Sequence, residues 1–193
     1  MSRLSVLASQ PKLALGALLT LLLAAAAVVG SGADFTATSA NPENTFSSGT
    51  LSIENSKEGT AILTATGMKP GGPAAVGIVD IKNKGSLAGT FTLSRATPVD
   101  SDSTNPLSGK LNITVTDCGL WSGETAPACN DGDEATKYNG GTLAQMSSAV
   151  ALGTFAANAK HRYEFKVALD GSAGNVYQGD SSSVQFDFNA AQS

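Results

Sequence analysis

Arg162-Tyr163-Glu164-Phe165-Lys166-Val167-Ala168-Leu169 decides the fold class. Tyr163, Phe165, Val167 and Leu169 alternate with Arg162, Glu164, Lys166 and Ala168. A period of two places one set on a core face and the other in water, which is the pattern of a half-buried strand. The same pattern recurs on either side. Leu111, Ile113 and Val115 alternate with Asn112, Thr114 and Thr116, and Phe91 and Leu93 with Thr90, Thr92 and Ser94. Val184, Phe186 and Phe188 alternate with Gln185, Asp187 and Asn189. Shorter runs at residues 50–54 and 60–66 behave likewise. Residues 75–82 carry apolar side chains on both faces, Val76 and Ile78 on one, Val79 and Ile81 on the other. That run is either a central strand covered on both sides or a strand with a bulge.

Gly, Pro, Asn, Asp and Ser separate these runs. Seven or eight short strands with turn signals between them predict an all-β, antiparallel, jelly-roll-like sandwich. Residues 143–152 have the composition of a short helix, fenced by Gly141 and Gly153. Residues 97–109 and 120–141 read as loops. No internal repeat is present, so residues 34–193 form one expected domain.

Residues 13–29 run without a charge, from Leu13 to Val29. Arg3 and Lys12 precede them, and Ser31-Gly32-Ala33 follows with the small residues that a signal peptidase requires. This is the architecture of a secretory signal peptide, residues 1–33. The rival reading is a membrane anchor, since the run sits at the lower edge of a spanning length. No second apolar segment of that length follows, and residues 188–193 carry no sorting motif. The mature chain is then secreted, to the extracellular space or the cell surface.

The chain of 193 residues has a net charge of −4, which becomes −6 when Arg3 and Lys12 leave with the signal. An acidic surface without a basic cluster argues against nucleic acid and anionic lipid as partners. Cys118 and Cys129 are the only cysteines. In an oxidising compartment such a close pair is most simply a structural disulfide.

Enzymatic constellations are sparse. His161 is the single histidine, so a His-rich zinc site cannot be built from one chain. No His-Glu-x-x-His, Gly-x-Ser-x-Gly elbow or phosphate-binding loop occurs in the mature part. His161 opens a strand and is expected to face water, although a triad partner need not be close in sequence. Asn130-Asp131-Gly132-Asp133-Glu134 supplies oxygen ligands that suit Ca²⁺ but lacks EF-hand spacing, and reads as a solvated acidic turn. Asp100 and Asp102 read the same way. Neither Ca²⁺ nor Zn²⁺ is supported by a motif, so no cofactor, metal ligand or catalytic residue is assigned. Asn112-Ile113-Thr114 is formally a glycosylation sequon.

The segment after the cleavage site suits a different role. An open sandwich exposes edge strands, and an extended segment from another subunit can complete them. Phe35 and Ala37 fall on one face of that segment, Thr36 and Thr38 on the other. Asn41-Pro42-Glu43-Asn44 follows as a turn.

Several stretches resemble one family. Asp34-Phe35-Thr36, followed by Asn44-Thr45-Phe46-Ser47-Ser48-Gly49-Thr50-Leu51-Ser52-Ile53, is similar to the start of the TasA/camelysin proteins. Gly67-Met68-Lys69-Pro70-Gly71 and Ile81-Lys82-Asn83-Lys84-Gly85-Ser86-Leu87 resemble their next shared blocks. Ala173-Gly174-Asn175-Val176-Tyr177-Gln178-Gly179 and the closing Phe188-Asn189-Ala190-Ala191-Gln192 resemble their C-terminal strand region. Gly72 departs from the pattern, which commonly has Asp there, and the Cys118–Cys129 loop looks like an addition. The resemblance implies a jelly roll secreted by Gram-positive bacteria and cut by a SipW-type signal peptidase. It implies self-association into biofilm-matrix fibres, with matrix or cell-surface partners. Residues 34–45 would be the donor strand, Asp34, Phe35, Thr36, Ala37 and Thr38 its assembly residues, and Phe46 a further apolar anchor. The alternative that it implies is a camelysin-type cell-surface metallo-endopeptidase, for which no ligand motif can be placed on this chain.

Processing is directly testable. N-terminal sequencing of secreted protein should begin at Asp34 or within a few residues of it. An intact Met1 on membrane-bound protein would make residues 13–29 an anchor.

Overall fold

In the computed structural model, residues 48–132 and 134–192 are described. The period-two runs pair as antiparallel strands in two packed sheets, giving an all-β, sandwich-like fold. The strands in chain order are β1 (Ile53–Asn55), β2 (Ala75–Asn83), β3 (Gly89–Arg95), β4 (Val99–Asp100) and β5 (Leu111–Leu120). They continue with β6 (Ala135–Thr142), β7 (Val150–Phe155), β8 (Lys160–Leu169), β9 (Ser182–Ser183) and β10 (Phe186–Gln192). The larger sheet has the order β1-β2-β8-β5-β6, the smaller β10-β3-β7, and β4 and β9 form a two-residue ribbon.

Strand β8 lies at the middle of the larger sheet, as its unbroken alternation demands. Val79 and Asp117 flank Tyr163, and Gly77 and Val115 flank Phe165. Tyr163, Phe165, Val79, Ile81 and Val115 are sealed from solvent, as are Phe91 and Leu93 of the facing sheet. Phe91 stacks on Phe155 at 4.2 Å between centroids, and Phe165 tilts against Phe186 at 5.0 Å. Burying each such side chain contributes about 1.5–3 kcal/mol, so this inner face is the main stabilising element.

One polar side chain sits fully inside. The chain crosses from the larger to the smaller sheet after β2 and from the smaller to the larger after β7, and Asn83 ties these two corners. Its Nδ2 donates to the carbonyls of Leu87 at 2.7 Å, Phe155 at 3.2 Å and Ala156 at 3.2 Å. Its Oδ1 accepts from the Gly85 amide at 2.9 Å. Its own backbone bonds Ala159 and Asn158. Gly85 must lack a side chain, because a Cβ there would overlap the Thr50 carbonyl and approach the Leu51 Cα to 2.8 Å.

Several sequence expectations change. Residues 60–66 form no strand among the described residues. The first strand is Ile53–Asn55 rather than residues 50–54. Residues 143–152 form a turn that leads into β7, and Gly153 sits inside that strand at φ 118°. The fencing glycine is thus a bulge residue. Residues 120–141 are not all loop, since β6 pairs with β5 through Thr136 and Tyr138. Residues 97–109 hold only β4 and a 3-10 turn at Leu107–Gly109. Strand β2 pairs with β8 without a bulge. Its outer face is covered only in part: Ile78 borders a cleft with Pro127, Ala128 and Cys129, whereas Val76 is exposed.

Asn83→Ala should cost roughly 3 kcal/mol, since it strands the buried Phe155 carbonyl and Gly85 amide and removes the bonds to the part-buried Leu87 and Ala156 carbonyls. Thermal unfolding followed by circular dichroism measures it. A change below about 1 kcal/mol would show that the corners hold without the amide.

Candidate assembly groove

Each sheet ends in an edge strand on both sides of the sandwich: β6 lies near β7 on one side, and β1 near β10 on the other. The two sides differ. The register of β6 on β5 shifts twice, and that of β7 on β3 shifts once. Bulges of this kind twist an edge away from further pairing. The β10–β3 register is unbroken over seven pairs, from Phe186↔Arg95 to Gln192↔Gly89. Strand β10 carries no Pro or Lys and one charged residue, Asp187, which accepts from Gln185 Nε2 at 2.5 Å. Its outer edge has no strand partner among the described residues. Pro, Lys and bulges, three of the usual edge-blocking devices, are absent from this strand.

A groove of about 850 Å³ runs along this side. One wall comes from β1 and the turn after it, with Ile53, Lys57, Glu58, Gly59 and Ile62. The other comes from Val184, Gln185 and the start of β10. Phe186 and Phe188 lie half-buried between wall and core, Phe188 6.5 Å from the Tyr163 ring. Apolar side chains at period two beside an unpaired backbone edge are what an added strand requires.

The expected donor and assembly residues, Asp34, Phe35, Thr36, Ala37, Thr38 and Phe46, lie outside the described residues, as does the signal peptide. Among the described residues no helix is long and apolar enough to cross a membrane. Sequence reasoning named Phe186 and Phe188 only as strand residues. The acceptor side is set by which edges carry bulges, and a period-two pattern does not record that.

Cys118 and Cys129 form a disulfide. Cys118 lies within β5, at a register shift between Asp117 and Gly119, and is itself buried. The bridge folds residues 119–128 back over the outer face of the larger sheet, where Trp121 packs under Lys160 Nζ at 3.2 Å from the ring centroid.

His161 does not face water as expected. Its side chain is 20% exposed and stacks on Phe155 at 4.4 Å. Its Nδ1 lies 3.1 Å from both oxygens of Asp117, which also meets Lys137 Nζ at 3.4 Å and the Gly119 amide at 3.0 Å. Burial pushes the Asp117 carboxyl up. The His161 hydrogen bond, the Gly119 amide and the charges of His161 and Lys137 outweigh it and hold the group below the ordinary carboxylate value. The Tyr163 phenol is pushed up by burial and by the Asp117 charge. This cluster anchors the disulfide end of β5 and β8.

The other singled-out carboxylates are spent on local structure. Asp100 accepts from the Ser108 amide at 2.8 Å and hydroxyl at 2.6 Å, and Asp102 from the Thr104 amide at 2.8 Å. Glu134 accepts from the Gly132 amide at 3.1 Å, while Asp133 lies outside the described residues. Among the described residues no three His, Cys, Asp or Glu side chains cluster as metal ligands. Asn112 of the sequon is exposed on β5 and donates to Asp170 at 3.1 Å.

No protein-family model and no curated protein matches this chain.

The Asp117 cluster fixes an acid limb of stability. Its folded value is lowered, so its contribution is complete above the unfolded carboxylate pKa near ~3.9 and is lost as pH falls through the folded value. Asp117→Asn should lower stability at neutral pH by about 2–4 kcal/mol and flatten the decline of melting temperature below about pH 4. An unchanged acid slope would assign that limb to other carboxylates.

Proposed function

We propose that this chain is a secreted structural subunit of extracellular, biofilm-matrix-type fibres, assembled by donation of its N-terminal segment to a neighbouring copy. The single observation that carries this reading is the regular β10 edge beside a polar-rimmed groove that holds Ile53, Ile62, Phe186 and Phe188, on a sandwich whose opposite edges are bulged. A donated strand of roughly 5–8 residues matches the length of that edge. Main-chain bonds to β10 would supply affinity, at about 0.5–1.5 kcal/mol each. Phe35 would bury its ring against Ile53, Phe186 and Phe188, for about 1.5–3 kcal/mol more.

The resemblance to the TasA/camelysin proteins supports the same reading, with a jelly-roll topology and a SipW-type peptidase for processing. The Cys118–Cys129 bond agrees with an oxidising, extracellular setting. Removal of the signal would release the donor segment, so secretion itself would license polymerisation. The camelysin-type endopeptidase alternative has no observation among the described residues that favours it.

Electron microscopy of purified mature protein over time is the test. The chain beginning at Asp34 should form fibres. A chain lacking residues 34–40 should stay a folded monomer, and Phe35→Asp should act similarly because an unpaired buried carboxylate is costly. Equal polymerisation of the truncated chain would rule out donation from this segment.

A further inference from the structure

Residues 60–66, Thr-Ala-Ile-Leu-Thr-Ala-Thr, have the composition and alternation of a strand, yet they join no ladder among the described residues. Among the described residues, no N–H of residues 61–69 donates to another backbone group, and of their carbonyls only that of Lys69 accepts. The stretch is nevertheless not an outlying loop. Ile62 and Leu63 pack against the core. Gly77 of β2 is where the stretch meets the larger sheet: a Cβ there would overlap the Ile62 carbonyl and approach the Leu63 Cβ to 2.6 Å. A segment with strand composition, packed against a sheet and left without a ladder among the described residues, is a conflict between local preference and fold. Such conflicts concentrate at functional positions.

Its position gives the conflict a meaning. Gly59, Thr60 and Ile62 form one wall of the groove whose other wall is Val184 to Asn189. The segment thus enters the groove wall at Thr60 and Ile62, across from the start of β10, and neither has a strand partner there among the described residues.

We propose that residues 61–66 are a latent strand, which takes up a ladder only when the N-terminal segment of a second copy enters the groove. The incoming segment is then paired on both sides, with β10 on one and residues 61–66 on the other. This rests on the donor-strand reading above and adds a second acceptor to it. Two-sided pairing satisfies the backbone groups that the monomer leaves to water, and makes the occupied groove dry. It also explains why the stretch keeps its strand composition without being a strand.

Amide hydrogen exchange, read by mass spectrometry on the mature protein as monomer and as fibre, tests this. Residues 61–66 should exchange fast in the monomer and become protected by about a hundredfold or more in the fibre, together with β10. Thr64→Pro supplies the second arm. Thr64 is exposed and its N–H has no partner among the described residues, so the monomer should melt within a few degrees of the parent. Elongation should slow by roughly tenfold or more, because proline cannot donate to the new ladder. Fibres in which β10 is protected but residues 61–66 still exchange fast would overturn the latent strand and leave donor-strand assembly standing. Parent protein that forms no fibres, and gains no protection in either region from synthetic peptide 34–46, would overturn both. If Thr64→Pro does not fold, the exchange comparison on the unaltered chain decides alone.

Discussion

The carboxamide of Asn83 is the constraint on which the two-sheet arrangement depends. It is sealed from solvent and bonds two of the corners at which the chain changes sheets, those after β2 and after β7. A buried amide of this kind tolerates little displacement, because each lost bond leaves an interior polar group unpaired. With the corners fixed, Phe91 meets Phe155, and β3 is delivered to the centre of the smaller sheet. The last strand, β10, is then added to the open side of β3 and becomes an edge by construction.

The two sides of the sandwich are built for different fates. On the β6–β7 side, register shifts and Gly153 break the ladder, so a second chain finds no regular edge to extend. On the β1–β10 side, a regular edge lies beside Phe186 and Phe188, and the facing wall is a strand-like segment without a ladder. A monomer that ended its life as a monomer would gain by blunting that side. An open edge of this kind carries a cost in solubility, which the proposed assembly would recover. The acidic net charge of the chain favours keeping copies apart in solution.

Much of this was legible in the chain itself. Alternation in 162–169, 111–116, 90–94 and 184–189 gave β8, β5, β3 and β10 directly, because each has one apolar face on the core; Glu164, expected in water, is instead buried on the outer face of β8. The disulfide followed from cysteine spacing and compartment. The failures have physical causes. Strand β6 was hidden because its core contacts are few and its Asn139-Gly140-Gly141 reads as a turn. Strand β7 was obscured by Gly153, whose bulge disrupts the period. Residues 60–66 have a strand pattern without a strand, since propensity does not supply a partner. His161 looked solvated because its neighbour in space, Asp117, is 44 positions away in sequence. The groove was illegible for the same reason: Ile53, Ile62, Phe186 and Phe188 come together only through the sheet order.

The central claim is that the β1–β10 side of one copy holds the N-terminal segment of another. The most direct measurement is solid-state NMR on fibres grown from an equal mixture of two differently labelled preparations, which registers only contacts between copies. The account predicts intermolecular cross-peaks from Phe35 to Phe186 and Phe188. Intermolecular contacts confined to the β6–β7 side, or Phe35 contacts only within its own chain, would contradict it.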